Sequence, residues 1–194
     1  MTIDAIVIGV SAGGFKVLEK LIKGIKDDLK IPIIIVQHIS PLAENYIVTY
    51  LNERTEMHIK EVEEKEDIRA GTVYMAPPNY HILVERNKTL SLTVDKRVCF
   101  ARPSIDVLFE TAAEAYMSKL LGVVLTGANS DGTNGCKTVK KWGGMVFVQA
   151  PDDAEFDEMP RSVMRAKAYD RAVTIDELIA FINHINEIRD KNVE

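Results

Sequence analysis

The stretch IDAIVIGVSAGG, residues 3–14, decides how the rest of the chain reads. Its first seven residues are short-range, β-branched and almost unbroken in apolar character, the pattern of a strand buried on both faces. The small-residue turn Val10-Ser11-Ala12-Gly13-Gly14 follows, and then Phe15, Val17, Leu18, Leu21, Ile22 and Ile25 recur at helical spacing. Residues 31–37 repeat the buried-strand pattern, and Pro41 opens a second helical stretch with Ile47, Val48 and Leu51 on one face. A β-α-β-α opening predicts a parallel sheet with helices on both sides.

Further along, residues 58–62, 71–76, 81–85 and 90–94 are short alternating segments split by turn residues such as Pro77-Pro78-Asn79. They read as one sheet edge and at least one antiparallel hairpin. The α/β rhythm then returns: a helix over 105–117, a strand over 120–126, a helix over 132–141 and a strand over 145–149. A short helix after Pro160 and a last helix over 176–188 finish the chain. The charge cluster over 61–67 reads as a solvated loop. The expected fold is α/β: a doubly wound, mostly parallel Rossmann-like sheet with helices on both faces and an antiparallel hairpin at one edge. With no repeat, low-complexity tract or linker, residues 1–194 read as a single domain.

Composition narrows the function classes. A chain of 194 residues buries roughly 70% of its unfolded surface, enough for a core without staples. Lys and Arg number 24 against 29 Asp and Glu, a net charge of −5 with no basic stripe, which argues against nucleic acid as a partner. Cys99 and Cys136 are too few and too unpatterned for a disulfide framework or a zinc site, and no metal or organic cofactor is expected. The longest apolar runs, 31–36 and 120–125, fall far short of a bilayer span, and the N-terminus has no basic n-region or cleavage signal. The expectation is a soluble, cytoplasmic protein that does not insert into membranes.

Gly9-Val10-Ser11-Ala12-Gly13 fits G-x-S-x-G between a strand and a helix, the context of a nucleophile elbow. The helix start behind it aims backbone N–H groups at any oxyanion formed beside Ser11. The same turn also suits a dinucleotide phosphate, although Ser11 replaces the middle glycine and His38 replaces an acidic ribose ligand. A plain turn with Ser11 as helix N-cap is the third reading. The turn alone leaves all three open.

The other strand ends move the balance. Ligands and catalytic groups gather at the carboxyl ends of parallel strands. Ser11 ends the first strand, His38 ends the second, and the strand over 120–126 runs out into Gly127-Ala128-Asn129-Ser130-Asp131-Gly132. Ser11, His38 and Asp131 can therefore form a nucleophile, a general base and an orienting acid. A strand-end histidine can equally be an ordinary loop residue, and Asp131 can simply cap the next helix. His58, His81 and His184 are worse placed, and Asp152 and Asp153 are the fallback acids. The chain order Ser-His-Asp differs from the Ser-Asp-His order of α/β-hydrolases.

Taken together, Ile8-Gly9-Val10-Ser11-Ala12-Gly13-Gly14, Val36-Gln37-His38, 71–77, Arg102-Pro103-Ser104-Ile105-Asp106-Val107-Leu108-Phe109, Val124-Leu125-Thr126-Gly127, Asp131-Gly132 and Met159-Pro160-Arg161 carry a resemblance. Over nearly its whole length the chain resembles the catalytic domain of chemotaxis-type protein-glutamate methylesterases. The resemblance implies a Ser11-His38-Asp131 triad hydrolysing glutamate γ-methyl esters on the cytoplasmic helices of chemoreceptors, with glutamine deamidation as a side activity. It also implies oxyanion binding by backbone N–H groups at Ala12 and Ala128. Two departures stand out. Gly127-Ala128-Asn129 replaces the usual Gly-Met-Gly, and Glu158, where glycine is usual, is expected to add negative charge near the site. The phospho-acceptor receiver domain of the best-known members is not in this sequence, so the chain reads as a stand-alone protein or a fragment. Arg102 and Arg161 are candidates for acidic receptor surface or for internal ion pairs. The rival functions are a non-catalytic signalling module that binds a receptor methyltransferase or histidine kinase, and a Rossmann-like nucleotide binder.

Overall fold

A computed structural model of the chain describes residues 2–39 and 46–191, with side chains of the last helix described to residue 187. The elements run β1 (Ala5–Val10), α1 (Gly14–Gly24), β2 (Ile33–Gln37), α2 (Tyr46–Asn52), β3 (His58–Glu61) and β4 (Thr72–Met75). Then come β5 (His81–Val84), β6 (Leu90–Thr93), α3 (Ile105–Tyr116) and β7 (Leu120–Val124). The chain ends with α4 (Thr133–Lys141), β8 (Met145–Gln149), α5 (Glu158–Arg165), β9 (Arg171–Val173) and α6 (Ile175–Lys191).

Seven strands form one sheet in the order β3-β4-β2-β1-β7-β8-β9, every neighbouring pair parallel. β1 is central and buried along its whole length, paired with β2 on one side and β7 on the other. The chain winds outward from β1 through β2, then crosses back to β7 on the far side. That reversal opens a crevice at the carboxyl end of β1, where such sheets bind ligands.

Alternation along the strands sorts the core into two layers. Ile6, Ile8, Val10, Ile33 and Ile35 pack with Leu18 and Leu21 of α1 and Leu178 and Ile182 of α6. Ala5, Val7, Ile34 and Val36 face Leu108, Phe109 and Ala112 of α3, with Ile82 and Leu90 of the hairpin. Each fully buried Ile, Leu or Phe contributes roughly 1.5–3 kcal/mol, so this two-sided burial holds β1 and its following turn in place.

The expected hairpin is present as its own antiparallel sheet of β5 and β6. It is tied to the β3–β4 connection by hydrogen bonds from Lys65 N to Leu90 O and from Leu90 N to Glu66 O, both 2.8 Å. Two boundaries differ from the sequence reading. β9 was not expected, because in its three residues only Val173 is buried and there is no apolar run to read. α5 begins at Glu158, ahead of Pro160, which sits in the first turn where a missing N–H breaks no helical hydrogen bond. The helix start expected at Pro41 lies outside the described residues, and α2 is described from Tyr46.

Candidate active site

Backbone pairing continues past the strand ends and sets the site. Ser11 N donates to Thr126 O at 2.9 Å, and His38 N donates to Val10 O at 3.0 Å. These bonds keep the ends of β1, β2 and β7 side by side. Gly13 then takes a φ of +76°, a left-handed conformation that glycine adopts without penalty, and turns the chain into α1. Gly13, rather than Ser11, is the N-cap, and it makes no side-chain cap bond, so the serine hydroxyl is free of a capping role.

Ser11 Oγ lies 3.2 Å from His38 Nδ1, and His38 Nε2 lies 2.9 Å from Asp131 Oδ2. The sequence-predicted trio is brought together as one chain of contacts. The Asp131 side chain is fully buried and that of His38 is 12% exposed. Asp131 does not cap α4, whose N-cap is Gly132 without a side-chain bond. Instead its carboxylate reaches the N-terminus of α3, accepting from Ile105 N at 2.8 Å, Asp106 N at 3.0 Å and Ser104 Oγ at 2.9 Å. Gly132 N adds a further bond at 3.0 Å.

Burial alone pushes the Asp131 carboxyl upward. The bonds from His38 and from the Ile105 and Asp106 N–H groups outweigh it and hold the group below the ordinary carboxylate value. An ionised Asp131 only accepts, so His38 Nε2 carries the proton and Nδ1 presents its lone pair to Ser11.

A supporting shell went unread in the sequence. Ser104 N donates to His81 Nδ1 at 3.1 Å, and His81 Nε2 donates to Lys96 O at 3.2 Å. Burial lowers the His81 pKa, in keeping with a neutral ring that accepts at one nitrogen and donates at the other. Asp106 Oδ1 accepts from Gly135 N at 2.7 Å. Thus Asp131 satisfies the first N–H groups of α3 while Asp106 satisfies one in the first turn of α4. Burial, together with the neighbouring Asp131 charge, raises the Asp106 carboxyl. Cys99 Sγ, Asp106 and Asp131 have ligand atoms within 4.8 Å of one another. With Asp131 accepting from five donors, this cluster is a pair of helix caps, and it is not assigned to a metal.

The loop after β7 is pinned from below. Thr126 N donates to Gln149 Oε1 at 2.9 Å, and Gln149 Nε2 donates to Asp153 Oδ2 at 2.9 Å. Gly127 N donates to Phe156 O at 2.9 Å, and a Cβ on Gly127 would lie 2.0 Å from Met159 Sδ. Only glycine fits between Ser11 and Met159. The backbone N–H groups of Ala12 and Ala128 have no hydrogen-bond partner among the described residues.

Ser11 lines two depressions. One, of about 410 Å³, is formed with His38, Arg97, Cys99, Phe100 and Asn129; the other, of about 320 Å³, with Phe15, Lys16 and Glu155. Phe100 projects from the rim, 96% exposed. A larger depression of about 710 Å³ lies between the hairpin and α3, lined by Arg86, Glu110 and Glu114, with no nucleophile–base pair.

Other expectations resolve plainly. Asp153 is engaged by Gln149 and by Ile175 N, and Asp152 is exposed, so neither serves His38. His58 and His184 are exposed and distant in the fold. Arg102 is held internally by Asn79 Oδ1 and by the carbonyls of Val94 and Asp95, and Arg161 pairs with Asp157 at 2.6 Å. Glu158 is paired with Arg165, which lowers its pKa, and Glu155 lines one of the Ser11 depressions.

Residues 6–182 match a family model described as CheB methylesterase. A relative from Leptospira interrogans is 48% identical across 92% of both chains, and its name assigns it provisionally as a protein-glutamate methylesterase/protein-glutamine glutaminase. A protein of Methanosarcina acetivorans named for the same two activities is 33% identical across 90% of this chain but only 51% of its own length. Among solved structures, the Thermotoga maritima CheB methylesterase catalytic domain superposes with a TM-score of 0.90 at 29% identity, covering 95% of this chain and all of that one.

Proposed function

The chain belongs to the CheB methylesterase family, and from that premise we propose that it hydrolyses glutamate γ-methyl esters on chemoreceptors through Ser11, His38 and Asp131. The observation that carries the proposal is the unbroken contact chain from Ser11 Oγ through the His38 ring to buried Asp131. Serine is a poor nucleophile at neutral pH until a base takes its proton, and the His38 Nδ1 lone pair faces it. As Ser11 Oγ bonds to the ester carbonyl carbon, its proton passes to Nδ1 and the carbonyl oxygen becomes an oxyanion. The N–H groups of Ala12 and Ala128, without a partner among the described residues, are the donors proposed to hold that charge.

Asp131 keeps the ring in the productive tautomer and stabilises the imidazolium without taking a proton. When the intermediate collapses, the methoxy oxygen takes the Nδ1 proton and leaves as methanol. Water, activated by the same nitrogen, then cleaves the Ser11 ester to release the glutamate carboxylate. None of these steps calls for a metal or an organic cofactor.

A protein substrate needs a surface cleft, and the two shallow depressions that meet at Ser11 supply one. Arg97, which lines the first of them, is suited to acidic receptor helices. No helix among the described residues is long and apolar enough to cross a membrane. The proposed site of reaction, the cytoplasmic helices of the receptors, rests on the family membership. The test is methanol release from methylated receptor membranes. Wild type should release it and Ser11→Ala should not; equal release would sink the triad. If neither releases it while the chain still binds receptor, the non-catalytic signalling module gains.

A further inference from the structure

Asn129 shares the central nitrogen of the proposed triad. Its Nδ2 lies 3.2 Å from His38 Nδ1, the atom that Ser11 Oγ also approaches at 3.2 Å. The amide orientation is fixed by its other half: Asn129 Oδ1 accepts the backbone N–H of Asp131 at 2.9 Å. That N–H can only donate, so the half of the amide facing the ring is the NH₂ group. Two donors therefore converge on one lone pair, and Asn129 lines the same cleft as Ser11.

The ring nitrogen that takes the Ser11 proton must deliver it to the leaving group, so the leaving atom has to sit within hydrogen-bond reach of Nδ1. The same position is next to Asn129 Nδ2. In a methyl ester the leaving atom is an oxygen with lone pairs and no proton, able to accept from both Nδ1–H and Nδ2–H. In a primary amide it is a nitrogen that carries two hydrogens of its own, which would face the Asn129 NH₂ group donor to donor. We infer that Asn129 is a specificity-determining residue that favours methyl esters over glutamine amides at this site.

The inference rests on the triad reading above. In the ester branch the C–O bond breaks, the methoxy oxygen takes the Nδ1 proton and methanol leaves. In the amide branch the C–N bond breaks, the nitrogen takes that proton and ammonia leaves. Both branches produce the same Ser11 ester, which water converts to the carboxylic acid and free serine. The contact of Asn129 with His38 Nδ1 is common to both branches, and its contact with the leaving atom is the one that differs between them.

The experiment compares peptides of one sequence carrying either glutamate γ-methyl ester or glutamine at the target position. Methanol and ammonia release give a kcat/KM for each, and their ratio is independent of the fraction of folded enzyme. Asn129→Ala deletes the donor. Asn129→Asp keeps an acceptor for Asp131 N and places an oxygen against the ring. The ester-to-amide ratio should fall about tenfold in Asn129→Ala, the effect of one neutral hydrogen bond, and at least as far in Asn129→Asp. A ratio within twofold of wild type in either variant that turns over overturns the inference. So does a folded variant that loses both activities, because Asn129 would then be positioning His38. If Ser11→Ala keeps both activities, the failure lies in the triad reading instead.

Discussion

Replacing Asp131 by Asn tests the site where its chemistry and its architecture meet. Oδ1 accepts from Ser104 Oγ, Asp106 N and Gly132 N, and Oδ2 accepts from His38 Nε2 and Ile105 N. An asparagine offers one oxygen. It keeps most by leaving that oxygen with the first three donors, which sets its NH₂ group against His38 Nε2 and Ile105 N. Hydrogen bonds to charged groups are each worth about 1.5–3 kcal/mol. Two are lost, and part is regained if His38 turns its tautomer to accept at Nε2. A destabilisation of about 3 kcal/mol follows, or a fall in Tm of roughly 6–12 °C for a domain of this size. The tautomer change matters more for rate: Nδ1 then carries the proton and has no lone pair for Ser11. An equivalent exchange in serine proteases lowers kcat by about 10⁴. Thermal melts and methanol release on the same preparation read both effects. Wild-type turnover in Asp131→Asn would refute the reasoning, whatever the melt shows.

Gly127→Ala should lower stability by about 1–3 kcal/mol and reduce turnover, because the new methyl would lie 2.0 Å from the sulfur of buried Met159 and 3.0 Å from Ser11 Cβ; an unchanged melt contradicts the tight packing. The depressed pKa of His81 predicts a pH dependence of stability. As pH falls through about 6.5 the unfolded chain protonates this histidine first, so stability present above that value is lost down to the folded pKa. Denaturant midpoints between pH 7.5 and 5.5 should therefore fall in wild type, and by less in His81→Gln. Native thiol labelling should modify Cys99, which is exposed, and leave fully buried Cys136 untouched. Partial desolvation of its thiol and the nearby charges of Asp131 and Asp106 raise the Cys99 pKa, so its rate at pH 8 should be below that of a free thiol.

Most of the scaffold was legible because parallel strands buried on both faces leave continuous apolar runs, as in β1, β2 and β7. The meeting of Ser11, His38 and Asp131 was legible because strand ends in such a sheet converge on one edge. What the sequence did not disclose is long-range. Ser104 and Asp106 lie at the head of α3, and only the packing of α3 against α4 brings them to Asp131. His81 lies in the hairpin, far from the strand ends in sequence, yet its ring reaches Ser104 across 23 positions. Glu158 is the opposite case, because its partner Arg165 lies within the same helix, seven residues on.

The most direct measurement is active-site labelling with a fluorophosphonate, mapped by peptide mass spectrometry. One adduct per chain on Ser11 is predicted, formed at least a hundredfold more slowly in His38→Ala, on the order expected when a general base is removed. An adduct elsewhere, or a rate unaffected by loss of His38, would contradict the assignment of Ser11 as a base-activated nucleophile.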